Sequence, residues 1–230
     1  MTPVYQDRIA NPNHALVKRD IPAMRNLDGK TAPLETLIQG YDAWAATYDR
    51  DVDQLDYASP QAVAAMVSRY IHNPEARLLD AGAGTGLAGA KLYRRGYRNL
   101  VGIDSSRGML AQAARKGVYR LLCRMVLGHP LGFGDHRFEG VIAAGVFTPG
   151  HAPPETLYEL SRIVRPGGWL VFSIKWDGTF ETAYLAVLQQ LAGGIRGQGA
   201  LLSEPYGSWP GADPGLRARM VAYRVPGKPP

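Results

Sequence analysis

The chain has almost no cysteine. Cys123 stands alone among 230 residues, so neither an internal disulfide nor a thiolate cluster for zinc can form, and a reducing compartment is the simplest context. Long apolar runs are missing too. No stretch approaches the length needed to cross a bilayer, and the N-terminal "MTPVYQDRIANPNHALVKRD" has no basic segment followed by an apolar one; a soluble, cytoplasmic protein without a membrane partner is expected. Acids are scarce where bases gather. Residues 91–124 hold nine Lys or Arg against Asp104, whereas residues 35–56 hold six acids against Arg50. The net charge of +6 therefore comes mainly from segments predicted as helices, and reads as a solvated outer face. Aromatic residues do not interleave with these bases as a nucleic-acid stacking platform requires, so nucleic acid is not expected as a partner. Repeats and low-complexity blocks are lacking as well.

What is present suits one domain of moderate size, 46% hydrophobic and 20% charged, as a monomer or homodimer. Residues 1–32 are polar, broken by Pro3, Pro12 and Pro22, and read as an extended arm. Residues 33–230 read as a single domain, with lid helices over 33–72 and a core over 76–230. Leu34, Leu37, Ile38, Tyr41, Trp44 and Tyr48 recur on one helical face, and Ser59 and Pro60 open a second helix as N-cap and first turn. Strand and helix then alternate: "ARLLDA", "NLVGID", "YRLLCRMV", "FEGVIAAGVF" and "WLVFSI" are the strands, with helices between most of them that stop at Gly96, Gly117 and "RPGG". A late helix, "FETAYLAVLQQLAG", precedes "RARMVAYRV", read as an edge strand; residues 193–215 have no clear assignment. The pattern predicts an α/β, Rossmann-like, doubly wound and mostly parallel seven-stranded sheet with helices on both faces. In such a sheet the ligand lies beyond the carboxyl ends of the strands. Here those ends are residues 80–86, 104–106, 126–128, 145–148 and 175–177.

The glycines of "RLLDAGAGTGLAG" support two readings. Gly84, Gly86 and Gly89 make G-x-G-x-x-G, the phosphate-cradling turn of a dinucleotide site, while Gly82, Gly84 and Gly86 make G-x-G-x-G. Asp104 suits either, since an acid 18 residues beyond Gly86 can accept from ribose hydroxyls. Asp80 discriminates. A carboxylate two residues before Gly82 repels a pyrophosphate and attracts an ammonium, which favours S-adenosylmethionine; the alternative is that Asp80 caps the amides of the following helix. A short-chain dehydrogenase also needs a Tyr-x-x-x-Lys pair, and the nearest spacing is Tyr158 to Arg162, where an arginine cannot serve as the acid/base.

The motifs "LLDAGAGTG", "VGIDSSRGML", "FEGVIAAGVF" and "SRIVRPGGWLVFSI", in that order, resemble the class I S-adenosylmethionine-dependent methyltransferases. Within them, "YDAWAATYDRDV" followed by "DSSRGMLAQA" is most similar to the methyltransferase-like group named after the Williams-Beuren syndrome chromosomal region. The resemblance implies that Gly82, Gly84 and Gly86 let the backbone approach the cofactor, that Asp80 orients its methionine amine, and that Asp104 binds the ribose with Ser105 and Met109 beside the adenine. Tyr41 and Tyr48 would close over it, and Gly145 would lie at its side; for Trp44 ordinary helix packing is preferred. Where many relatives carry an adenine-binding acid after the third strand, this chain has Leu127.

Methyl transfer from a sulfonium is an in-line displacement that needs alignment, water exclusion and, for some acceptors, a base; it requires no metal. His151, just past the fourth strand, is the candidate catalytic base, the alternative being a loop or capping histidine. The loop lacks the Asn/Asp-Pro-Pro-aromatic sequence of amino-methyltransferases, and Cys123 lies in an apolar strand where burial is expected. An O- or N-directed methyltransferase for a small-molecule acceptor is therefore the expectation. The alternatives are methylation of RNA or a peptide, an NAD(P)-dependent oxidoreductase, and a non-catalytic cofactor-binding module.

Overall fold

A computed structural model describes residues 33–193 and 200–227. The expected arm over 1–32 lies outside the described residues, as do residues 194–199 of the unassigned segment. α1 (Leu34–Trp44), α2 (Tyr48–Gln54) and α3 (Ser59–Tyr70) lead into β1 (Leu78–Ala81), α4 (Leu87–Arg94), β2 (Leu100–Asp104), α5 (Arg107–Arg115) and β3 (Leu121–Arg124). There follow β4 (Phe138–Phe147), α6 (Thr156–Ile163), β5 (Val164–Lys175), α7 (Phe180–Leu191), β6 (Ala200–Leu202), β7 (Tyr206–Trp209) and β8 (Asp213–Arg224).

The sheet has eight strands among the described residues, one more than expected, in the order β3-β2-β1-β4-β5-β8-β6, with β7 also on β8. β1 to β5 are parallel and β8 runs antiparallel to β5. β8 is not an edge strand. It bonds β5 on one side and both β6 and β7 on the other, and Val221, Ala222 and Tyr223 are fully buried. Strands β6 and β7 come from the segment that composition left unassigned, because strands of three and four residues set among Gly, Pro and Ser carry little period-2 signal.

Alternation along each strand divides the core into two layers. Leu78, Ile142, Val171, Met220 and Ala222 meet Val63, Val67, Ala88 and Leu92 of α3 and α4 on one face. Leu79, Val141, Phe172, Val221 and Tyr223 meet Leu157, Leu160, Tyr184 and Leu188 of α6 and α7 on the other. Phe147 joins Phe172 and Tyr184 edge-on at 4.8 and 5.3 Å, geometry that adds to the stabilisation from area burial. Strand order reverses between β1 and β4, so the crevice of the fold opens above their carboxyl ends.

The lid differs from the sequence reading in two details. The helical face over 33–48 is broken at residues 45–47, because the Trp44 indole and the Thr47 hydroxyl both donate to Asp51 (2.9 and 2.6 Å) and fold the chain into a new helix. Ser59 is not an N-cap. It lies inside α3, whose N-cap is Ala58 without a side-chain cap, and its hydroxyl meets that of Tyr206 at 3.2 Å. Cys123 is half-buried on the strand at the sheet's end, not enclosed.

Candidate active site

Gly82, Gly84 and Gly86 have φ of 76°, 54° and 88°, left-handed values that other residues rarely adopt. A Cβ at Gly82 would approach Val146 Cγ2 to 2.5 Å, whereas one at Gly84 would meet no atom within 4 Å. Gly84 thus presents bare backbone to open space. Its amide donates to Asp104 Oδ2 (2.8 Å) while the Ser106 amide donates to Oδ1 (2.9 Å). Both oxygens keep lone pairs for further donors, and burial pushes the Asp104 carboxyl up against the pull of the Ser106, Gly84 and Ser105 amides.

A cavity above β1, β2 and β4 is lined by Tyr41, Tyr48, Gly82, Gly84, Asp104, Ser105, Met109, Leu127, Gly145 and His151. These ten sequence-predicted residues are brought together, drawn from the lid, the ends of β1, β2, β3 and β4, α5 and the loop after β4. Two others lie apart. Gly86 does not line the cavity: it is the left-handed N-cap of α4, and a Cβ there would press on Tyr119 Cε2 at 2.9 Å. Asp80 faces a small adjoining recess with Gly82, Gly84, Thr85 and Tyr48. It is 2% exposed, accepts from the Tyr119 hydroxyl at Oδ2 (2.6 Å), and leaves Oδ1 buried without a partner among the described residues. The Gly89 amide, in the first turn of α4, also faces this carboxyl, as the capping alternative expects. Burial raises Asp80 to about 7, against the stabilising Tyr119 hydrogen bond.

At Gly145 a Cβ would overlap the Tyr57 hydroxyl, so this glycine makes room for an aromatic ring that the sequence reading did not nominate. Tyr57 stacks on Trp209 with centroids 4.1 Å apart and planes 14° apart; both line the cavity, as do Ser59, Lys175 and Arg217, and Tyr57 also lines the Asp80 recess. His151 Nδ1 lies 3.1 Å from the Pro149 carbonyl and 3.0 Å from Thr148 Oγ1, and Nε2 lies 2.8 Å from the Tyr41 hydroxyl. A carbonyl only accepts, so Nδ1 carries the proton and Nε2 receives the Tyr41 hydrogen bond. Burial pushes the His151 pKa down and the Tyr41 pKa up.

The lid acids missed as site residues act as fasteners. Asp42 accepts from Ser106 Oγ (2.5 Å) and the Gly108 amide (2.7 Å) at the start of α5. Asp49 accepts from Thr85 Oγ1 (2.5 Å) in the glycine turn and pairs with Lys116 (2.5 Å). The dehydrogenase-like pair has no place here: Arg162 is bound to Glu159 and Asp135, and the Tyr158 hydroxyl meets Gln190. Among the described residues no cluster of His, Cys, Asp or Glu could hold a metal ion, and no helix is long and apolar enough to cross a membrane.

Residues 79–172 match the family of the methyltransferase domain. Over that stretch the chain is similar to methyltransferase domains, which together with its relatives supports a class I S-adenosylmethionine-dependent methyltransferase. The chain is similar to human Methyltransferase-like protein 27, of the Williams-Beuren region, with 33% identity over 157 residues covering 66% of the chain and 64% of that protein. It is also similar to the demethylmenaquinone methyltransferase of Renibacterium salmoninarum, with 30% identity over 152 residues, 61% of the chain and 62% of that protein. The chain thus spans a little under two thirds of the length of these curated relatives. The crystal structure of an S-adenosylmethionine-dependent methyltransferase from Thermotoga maritima shares the fold, with a TM-score of 0.54 and 16% identity over 80% of this chain and 98% of that one.

The methyltransferase domain match implies S-adenosylmethionine as cofactor, and the residues present fit it. The open space at Gly84 admits a ligand against bare backbone, Asp104 offers acceptors for ribose hydroxyls, and the orphaned Oδ1 of Asp80 suits a buried cation.

Proposed function

We propose that the chain transfers a methyl group to an oxygen or nitrogen atom of a small molecule. The observation that carries this reading is that one cavity takes in Gly84 and Asp104, His151 and the Tyr57–Trp209 pair. The cofactor, when bound, supplies an electrophilic methyl on a sulfonium. Asp104 and the backbone of Gly82 and Gly84 hold its nucleoside, Met109 and Leu127 border the adenine with Ser105, and Asp80 orients its amino-acid end. Leu127 carries no acceptor, so the adenine amino group is recognised by backbone around residues 126–128.

The acceptor lies between His151 and Trp209. Its flat or apolar body rests on the Tyr57–Trp209 pair; Arg217 adds positive charge to the cavity wall, while Lys175, also in the wall, is paired with Asp177 at 2.8 Å. His151, neutral because burial lowers its pKa, takes a hydroxyl proton at Nε2, directly or through the Tyr41 hydroxyl that already donates to it. An amine acceptor that is already neutral needs no such step. The lid helices exclude water from the transfer.

The basic stretch supports a small acceptor over RNA, because much of it is engaged within the chain. Arg98 and Arg120 donate to backbone carbonyls, Arg124 donates to the Ser105 carbonyl at 2.9 Å, and Lys116 pairs with Asp49. The test is transfer from methyl-labelled S-adenosylmethionine to a cell extract, split by ultrafiltration. Label in the small-molecule filtrate is the expected result; label retained with RNA or protein would overturn the assignment.

A further inference from the structure

Tyr119 precedes β3 and takes no part in the transfer chemistry described above, yet Gly86 and Gly89 at the start of α4 make room for its ring, and Gly102 of β2 makes room for it together with Leu122. A Cβ at Gly89 would overlap its hydroxyl, one at Gly86 would press on Cε2 at 2.9 Å, and one at Gly102 would press on Cε1 at 3.1 Å. Contacts closer than 3.0 Å are not tolerated by real Cβ atoms and those slightly beyond are tight, so glycines at these three positions leave a slot shaped for a phenol. The slot aims the hydroxyl at Asp80 Oδ2, 2.6 Å away.

We propose that Tyr119 is the positioning residue for Asp80: it fixes one carboxylate oxygen so that the other, Oδ1, meets the ammonium of the cofactor's methionine end. The inference rests on the reading that Asp80 faces that ammonium. Oδ1 is buried and unpartnered among the described residues, and no basic side chain among the described residues lines the recess it shares with Gly84 and Thr85. A carboxylate in that setting has no internal countercharge. A ligand cation supplies it. Tyr119 cannot supply it, being a neutral donor whose own ionisation is pushed up by burial and by Asp80. It stabilises the ionised carboxyl through one hydrogen bond and holds the plane of the group.

The titratable groups facing Asp80 are Asp104 from β2, Tyr119 before β3, Tyr57 from the loop after α2, and Tyr48 from α2 across the recess. The tyrosines stay neutral because burial raises all three. Asp104 is the group whose titration must be separated from that of Asp80, and it contacts the nucleoside, not the ammonium. S-adenosylhomocysteine carries both the nucleoside and the ammonium, whereas methylthioadenosine keeps the nucleoside and lacks the amino-acid end.

Calorimetric titration of wild type and Tyr119→Phe with both ligands, at about pH 6 and about pH 8.5, tests the assignment through linkage. Loss of a hydrogen bond to a charged group should weaken S-adenosylhomocysteine about tenfold at the lower pH. The gap should narrow at the higher pH, where Asp80 is ionised in both proteins. Methylthioadenosine affinity should be unchanged at either pH. Equal weakening of both ligands would mean a general packing defect, and unchanged S-adenosylhomocysteine affinity would mean that Asp80 needs no positioning; either overturns the proposal. Wild type that binds methylthioadenosine and S-adenosylhomocysteine equally well would overturn the Asp80 reading itself, and the role of Tyr119 with it.

Discussion

Asp80 makes the unliganded protein less stable than it need be. Its carboxyl is raised from 3.8 to about 7, chiefly by burial. Between those values the folded chain binds more protons than the unfolded one, so stability falls as pH rises through this window and stays reduced above it. Asp80→Asn keeps an oxygen for the Tyr119 hydroxyl and removes the charge. It should stabilise the free protein by a few kcal/mol at about pH 8 and by little near about pH 4, as measured by urea unfolding at the two pH values. Equal stability of variant and wild type at the higher pH would show that the carboxylate is compensated. Asp80 was legible because two readings of the same glycines put opposite demands on its charge. Tyr119 was not. Its slot is made by Gly86, Gly89 and Gly102, which lie on α4, its N-cap and β2 and converge only after the chain has crossed the sheet. A single sequence offers no period that links them.

At the scale of elements, the lid shows how a compositional feature can be seen and its use still missed. The acid-rich segment over 35–56 stood out in the composition, with six acids against Arg50. In the fold, Asp42 and Asp49 fasten α1 and α2 to the start of α5 and to the glycine turn, and Asp51 makes the corner between the two lid helices. Burial opposes the Asp42 charge, but hydrogen bonds from Ser106 and Gly108, with Arg124 nearby, bring its carboxyl below the ordinary value. This side chain is exposed, so solvent screening limits what the fastening contributes. Asp42→Ala should therefore loosen the lid without unfolding the core. Hydrogen exchange at residues 34–54 should rise several-fold while amides of β1 and β4 keep their protection. A uniform rise across the sheet would contradict the fastening role. The parallel strands were legible from their apolar runs and glycine stops. The break at residues 45–47, the position of β8 and the pairing of β6 and β7 were not, because each depends on partners distant in sequence.

At the scale of the whole molecule, the reversal of strand order between β1 and β4 gathers ten of the twelve nominated residues into one cavity. The other two lie beside it, Asp80 on β1 in the adjoining recess and Gly86 at the N-cap of α4. The acceptor end was less legible than the cofactor end. The proposed cofactor contacts come mostly from strand ends that follow one another in the sequence, whereas Tyr57, Trp209 and Lys175 come from the lid loop, β7 and β5, and the hairpin of β7 and β8 meets that loop through backbone hydrogen bonds at Leu55 and Ala58. The central claim is that this crevice takes a nucleoside joined to an amino acid and not a dinucleotide with its pyrophosphate. Calorimetric titration of the full chain with S-adenosylhomocysteine and with NAD tests it most directly. Single-site micromolar binding of S-adenosylhomocysteine with no heat from NAD is expected, and micromolar binding of NAD without binding of S-adenosylhomocysteine would contradict it.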